Sequence, residues 1–120
     1  MPTKSGHTSV IRARKVIGTE VKTTAGETIG EVEDVALDKL SNNIMFAIVS
    51  AGGFLGMGEK YHPIPWSALR YAEDQGAYVL DASREKLMKA PADSLEALTR
   101  DDGHAFRDRA FKYYDVPNYW

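Results

Sequence analysis

The sequence predicts a mainly β fold, a small barrel of six strands or near-strands followed by short helices and an aromatic tail. Three observations carry this. Residues 16–38 read as two short strands separated by glycine-containing turns. Residues 44–51, Ile-Met-Phe-Ala-Ile-Val-Ser-Ala, are apolar on both faces and rich in β-branched and aromatic side chains, as in a strand covered on both sides. Beyond Asp81 the apolar spacing lengthens from two toward four, the period of a helix.

The first strand is expected through Val16, Ile17 and Val21, ending in a turn where Gly26 supplies a positive φ. A second strand follows over 28–38. Its apolar residues Ile29, Val32 and Val35 are three apart, which strict alternation forbids on one face, so a bulge or bend is expected near Gly30. Residues 40–43 are a turn by composition, and the strand over 44–51 belongs at the centre of the sheet. The glycine-rich segment 52–58 is a loop carrying Phe54, Leu55 and Met57. Residues 61–66 are extended, because Pro63 and Pro65 each force the preceding residue out of the helical region. A short helical turn over 67–69 then leads into a hairpin, 69–73 with 77–80, closed across Asp74, Gln75 and Gly76.

A helix is predicted over 83–90, stopped by Pro91, and another over 93–100 with Leu95 and Leu98 facing inward. Asp101 or Asp102 is the expected N-cap of a third, in which Phe106, Ala110 and Tyr113 or Tyr114 share a face. The chain thus divides into a flexible basic arm (1–15), a barrel (16–90) and a helical, aromatic extension (91–120).

A length of 120 residues suits one domain with one modest core. Hydrophobic residues make up 43% and charged residues 27%, which separates the chain from disordered sequences. Having no cysteine, it offers neither a disulfide framework nor a thiolate nucleophile. Its longest apolar run, 44–51, is far short of the roughly 20 residues of a membrane-spanning helix, and the first residues lack a signal-peptide core, so a cytoplasmic location is expected. Charge is uneven. Residues 1–15 hold four bases and no acids, whereas 16–80 hold four bases and nine acids. That acidic body disfavours nucleic acid, whose binding requires several phosphates to be neutralised at once.

Gly18, Val21, the turn at Gly26, Ile29-Gly30, Val32, Asp34-Val35 and Leu37-Asp38 together resemble the opening of PRC-barrel domains, the fold named for the photosynthetic reaction centre H subunit. The strand 44–49, the glycine-rich loop to Lys60 and Ile64-Pro-Trp-Ser-Ala-Leu69 continue the likeness, which covers roughly 16–89. The ending, with Tyr113-Tyr114 and Pro-Asn-Tyr-Trp, is similar to that of small stand-alone bacterial members. The resemblance implies a small antiparallel six-stranded barrel that binds other proteins. In the reaction centre H subunit such a domain packs on a membrane complex, and in the ribosome maturation factor family it docks on a ribosomal protein. It brings no catalytic residues.

Isolated motifs do not add a chemistry. Gly53 and Gly58 have phosphate-loop separation, but Glu59 and Lys60 stand where Lys and Ser or Thr are required. Ser83 and Lys86 match a Ser-x-x-Lys pattern without its companion motifs and read as a helix start with a solvated lysine. His7, His62 and His104 are too scattered for a metal site. Glu31, Glu33 and Asp34 read as a solvated strand face, with a cation or acid-base role as the sharper alternative. Trp66 reads as core in preference to a stacking platform.

The tail says more. Of twelve aromatic residues, six (Phe106, Phe111, Tyr113, Tyr114, Tyr119 and Trp120) lie in the last fifteen positions, more than one short helix buries alone. They either fold over their own barrel or anchor a neighbouring subunit. The expectation is a non-enzymatic adaptor without cofactor or metal, self-associating as a homodimer. Its partner contacts are expected through Phe54, Leu55 and Met57 and the six tail aromatics. A small-molecule sensor using a barrel mouth around Trp66, Tyr61 and Glu31, or a ribosome- or RNA-associated factor, is the alternative.

Overall fold

In the computed structural model, which describes residues 10–51 and 60–119, Val16 closes a one-turn helix α1 (Ala13–Val16) instead of opening a strand. The Thr19 hydroxyl donates to the Lys15 carbonyl at 2.8 Å, and Gly18 adopts φ 89°, so the chain turns before β1 (Glu20–Thr23) begins. Gly26, at φ 88°, makes the turn into β2 (Thr28–Leu37), as its position foretold. There follow β3 (Ile44–Ala51), β4 (Tyr61–Pro65), a 3-10 turn at Trp66–Ala68, β5 (Leu69–Ala72) and β6 (Ala77–Leu80).

The spacing conflict in β2 is resolved by bulges. Val21 faces Gly30 but Lys22 faces Thr28, so Ile29 is an extra residue beside Gly30. Against β3, Val32 faces Val49 and Asp34 faces Ile48, so Glu33 is skipped. With these two insertions Ile29 and Val32 enter the inner core and Val35 packs against it. A third irregularity, between Ala36 and Leu37, leaves Met45 unpaired on β3. Consecutive residues Met45 and Phe46 then join one cluster, which regular alternation would forbid.

The sheet order is β4-β3-β2-β1-β6-β5. Every pairing is antiparallel except β1 with β6, which is parallel, with Val21 facing Tyr78 and Thr23 facing Leu80. The expected antiparallel sheet is therefore a mixed one. Its cause is the 3-10 corner. A hairpin at that point would have paired β4 with β5; the corner instead carries β5 to the far edge, and the β5–β6 hairpin returns β6 alongside β1 in the same direction. Laid flat, six strands would separate β4 and β5 by about 24 Å, whereas three residues of 3-10 helix span only about 6 Å. The sheet must curl until its two edges meet at Trp66–Ala68, a half-barrel held at that corner by covalent connection.

Inside the curl lie Val21, Ile29, Val32, Ala47, Val49, Ile64, Tyr78 and Leu80, closed at one end by Val16, Leu87, Ala90 and Tyr114. Outside it, Met45, Phe46 and Ile48 of β3 form a second cluster with Leu98, against which Ala36, Tyr61 and Phe106 pack. Strand β3 is buried on both faces, as its composition predicts.

The cover on the outer face is the C-terminal extension. Helix α2 (Arg84–Met88) starts where Ser83 accepts from the Lys86 amide, and α3 (Leu95–Leu98) where Ser94 accepts from the Ala97 amide. Leu98 is fully buried, but Leu95 is 39% exposed, because α3 lasts a single turn and presents only one position to the sheet. Helix α4 (His104–Tyr113) is capped by Gly103 in the left-handed conformation rather than by Asp101 or Asp102, since a 3-10 turn at Arg100–Gly103 precedes it. Between α2 and α3, Asp93 bridges Tyr61 through bonds of 2.8 and 3.1 Å, adding a short rung to the outer edge of β4.

Candidate protein-interaction surface

The extension is tied to the barrel by its aromatic residues. The Tyr113 hydroxyl donates to the Lys86 carbonyl at 2.6 Å, and the Lys86 ammonium lies 5.8 Å from the Tyr113 and Tyr114 ring centres, which meet edge-on at 5.1 Å. Tyr114 is buried, and among the described residues its hydroxyl has no hydrogen-bond partner. Burial, and secondarily Tyr113, pushes that phenol far above its ordinary range. At the end of the chain Tyr119 packs on Phe111, ring centres 6.1 Å apart, and donates to Asp38 at 3.1 Å. Asp38 also accepts from the Leu40 amide and the Ser41 hydroxyl, and these bonds hold its carboxyl below the usual range. Burial and the Asp38 hydrogen bond raise the Tyr119 phenol.

Phe111 and Tyr114 therefore belong to this chain's own interior, while Phe106 and Tyr113 are half-buried and Tyr119 stays 36% exposed. The Arg109 guanidinium sits 4.8 Å from the Phe106 ring centre. Between α4 and the returning tail lies an open cleft of about 340 Å³ lined by Asp108, Phe111, Lys112, Asp115, Val116 and Asn118. Phe54, Leu55, Met57 and Trp120 lie outside the described residues, as does most of the segment with phosphate-loop spacing.

A second aromatic group stands at the corner. Trp66 and Tyr78 have ring centres 5.3 Å apart, and Tyr71 and Tyr78 meet edge-on at 5.1 Å. Tyr78 is 4% exposed, Tyr71 43%, and Trp66 half-buried. Sequence reading singled out Trp66 and missed both tyrosines. The hairpin expected across 74–76 would set Tyr71 opposite Val79; the observed turn is one residue longer and sets it opposite Tyr78.

The remaining candidates do not converge. Trp66 packs against the inner cluster and Tyr61 against the outer one, so the sheet separates them, and Glu31 is exposed on β2 opposite Ser50. Asp34 accepts from the neighbouring Val35 amide at 2.8 Å, and Glu33 occupies the bulge. Ser83 is occupied as a helix cap. His104 is exposed at the start of α4, while His62 is buried on β4, its Nδ1 3.1 Å from the Pro91 carbonyl. Among the described residues no three His, Asp or Glu side chains are grouped to hold a metal ion, and no helix is long and apolar enough to cross a membrane.

Comparison with curated proteins gave no match. A family model does match, over residues 9–87, and it is the PRC-barrel domain. The matched span runs from the approach to α1, through all six strands, into α2. A curled six-stranded sheet and a family match over more than half of the length lead to one conclusion: the chain belongs to the PRC-barrel family.

Proposed function

We propose that this chain is a non-enzymatic adaptor that self-associates as a homodimer and binds a protein partner through its glycine-rich loop and barrel rim. PRC-barrel domains are in general protein-interaction modules without catalytic activity, and that is the coarse frame of the reading. The observation that carries the finer reading is the aromatic surface of the extension. Phe106, Tyr113 and Tyr119 remain partly open to solvent after the core has taken Phe111 and Tyr114. Exposed aromatic side chains held on a fixed frame are typical anchors of a protein interface. The sensor alternative needs Trp66, Tyr61 and Glu31 around one mouth, and they occupy different faces of the sheet. For the RNA alternative, the acidic excess of residues 16–80 is unfavourable.

Sedimentation velocity of the full chain, beside Phe106→Ser and Tyr119→Ser, tests self-association. A dimer that loosens in either variant supports the reading, and a wild-type chain monomeric at high concentration rejects it. Point variants are preferable to truncation at 101, which would strip Ala110, Phe111 and Tyr114 from the core.

A further inference from the structure

We propose that Trp66 and Tyr71, standing on either side of the buried Tyr78 ring, form a docking ladder for an extended, proline-rich segment of a partner protein, whose rings stack on these two outer groups while its carbonyls accept hydrogen bonds from the polar groups at the corner. This rests on the reading of the chain as an interaction module, and it names the chemistry of the partner.

The first argument is spacing. Trp66 and Tyr71 each touch Tyr78, at 5.3 and 5.1 Å, but no ring contact joins them to one another. With the buried Tyr78 ring touching both, their centres can stand no more than about 10 Å apart. A polyproline helix rises about 9 Å per three-residue turn, so residues one turn apart meet the two outer rings in register.

The second is hydrogen bonding. Trp66 offers an indole N–H, and Tyr71 and Tyr78 offer hydroxyls, and none of the three has a hydrogen bond among the described residues. The Tyr114 hydroxyl is sealed off from solvent; that of Tyr78 is not. A tryptophan or tyrosine polar group near a core ordinarily finds a partner. Three donors unpartnered at one corner match a ligand rich in carbonyls and poor in N–H groups, which is what a proline-rich chain presents. β5 is the last strand in the pairing order, and among the described residues no strand is hydrogen-bonded to its outer edge.

Charge adds a polarity. The turn leaving β5 carries Glu73 and the exposed Asp74, and residues 16–80 carry nine acids to four bases. A ligand with a basic residue beside its prolines is favoured over an acidic one.

The test uses the full-length protein and a synthetic polyproline peptide of about ten residues with a terminal arginine, against a glycine-serine peptide of equal length and charge. Binding is followed by the amide and indole N–H resonances in heteronuclear NMR. Trp66→Phe, which keeps a ring but removes the N–H, assigns the Trp66 indole signal. The expected result is a saturable shift of that signal with the proline peptide alone, weakened about tenfold in Tyr71→Ala, whose exposed side chain can be removed without opening the core. Absence of a saturable shift overturns the proposal, as do equal shifts with the glycine-serine peptide or unchanged affinity in Tyr71→Ala. Sedimentation separates this outcome from the broader reading. A chain that dimerises but ignores polyproline discards the ladder and leaves the interaction module standing.

Discussion

The Tyr119 hydroxyl donates to the Asp38 carboxylate at 3.1 Å, joining the last described residue to the β2–β3 turn across 81 positions of sequence. Both groups are exposed, so the bond fixes the course of the tail and adds little to global stability.

Removing the hydroxyl tests that division. Tyr119→Phe is expected to raise hydrogen exchange over 115–119 while leaving the melting temperature within about a degree of wild type. The bond is also pH-dependent. Because the folded-state pKa of Asp38 is lowered, its stabilisation is complete above the ordinary carboxylate pKa and is lost as pH falls through the folded value. The protection of the wild-type tail, with the intrinsic pH dependence of amide exchange divided out, should therefore fall as pH drops below about 4, and Tyr119→Phe should show little of that fall. Equal pH responses would assign the tail another anchor.

Gly30 is required for space, and Gly26 for conformation. A Cβ at Gly30 would collide with the Ser50 carbonyl on β3 and crowd Val49, whereas one at Gly26 meets nothing within 4 Å but stands at φ 88°. Gly30→Ala forces two central strands apart and should cost at least about 2 kcal/mol; Gly26→Ala carries a conformational penalty of about 1 kcal/mol. Urea midpoints decide the order. A smaller loss at Gly30 than at Gly26 would mean that β2 and β3 can separate there at little cost.

Leu95 and Leu98 delimit what α3 contributes. Leu98 is completely buried beneath Met45, Phe46 and Ile48, and Leu95 is 39% exposed. Leu98→Ala should lose about 2 to 5 kcal/mol, and Leu95→Ala well under 1 kcal/mol. Comparable losses in the two variants would show that α3 turns another face to the sheet.

Much of this architecture is legible in the chain because it is local. Gly26, Pro91 and the helix start at Ser83 act within a few residues, and the apolar run of β3 announces burial on both sides. Even the β2 bulges are written in the three-residue spacing of Ile29, Val32 and Val35. What sequence reading missed depends on contacts between distant segments. The parallel pairing of β1 with β6 follows from a corner that redirects β5, and nothing within β1 or β6 marks it. Leu95 and Leu98 have the same composition and plausible spacing, but only the packing of α3 on the outer face decides which is buried. Of the tail aromatics, Tyr114 joins the inner cluster with Tyr78, Leu80, Leu87 and Ala90 while Phe106 only packs against the outer one, a division set by residues at least 24 positions away from Tyr114 that nothing within α4 marks.

His62 makes the fold sensitive to acid. The Pro91 carbonyl can only accept, so at 3.1 Å Nδ1 must carry the ring proton, and in the neutral form Nε2 is bare. A second proton would place a charge on a side chain that is only 5% exposed, and this burial lowers the His62 pKa below its ordinary 6.5 more than the Pro91 bond raises it. The unfolded chain binds that proton near the ordinary value while the folded chain resists it. Stability contributed by neutral His62 is thus complete above about pH 6.5 and is lost as pH falls through the lower folded value. Urea midpoints of the wild type should be level between about pH 7 and pH 8 and decline from pH 6.5 toward pH 5, before most carboxylates titrate. His62→Gln keeps a donor for Pro91 but cannot take up the proton, so it should start lower at pH 7.5 and show a flatter decline. Because His62 and Pro91 flank the Tyr61–Asp93 bridge, the earliest amides to lose protection in mild acid should be those of Tyr61 and Asp93. Parallel pH profiles for wild type and His62→Gln would show that the acid response arises elsewhere.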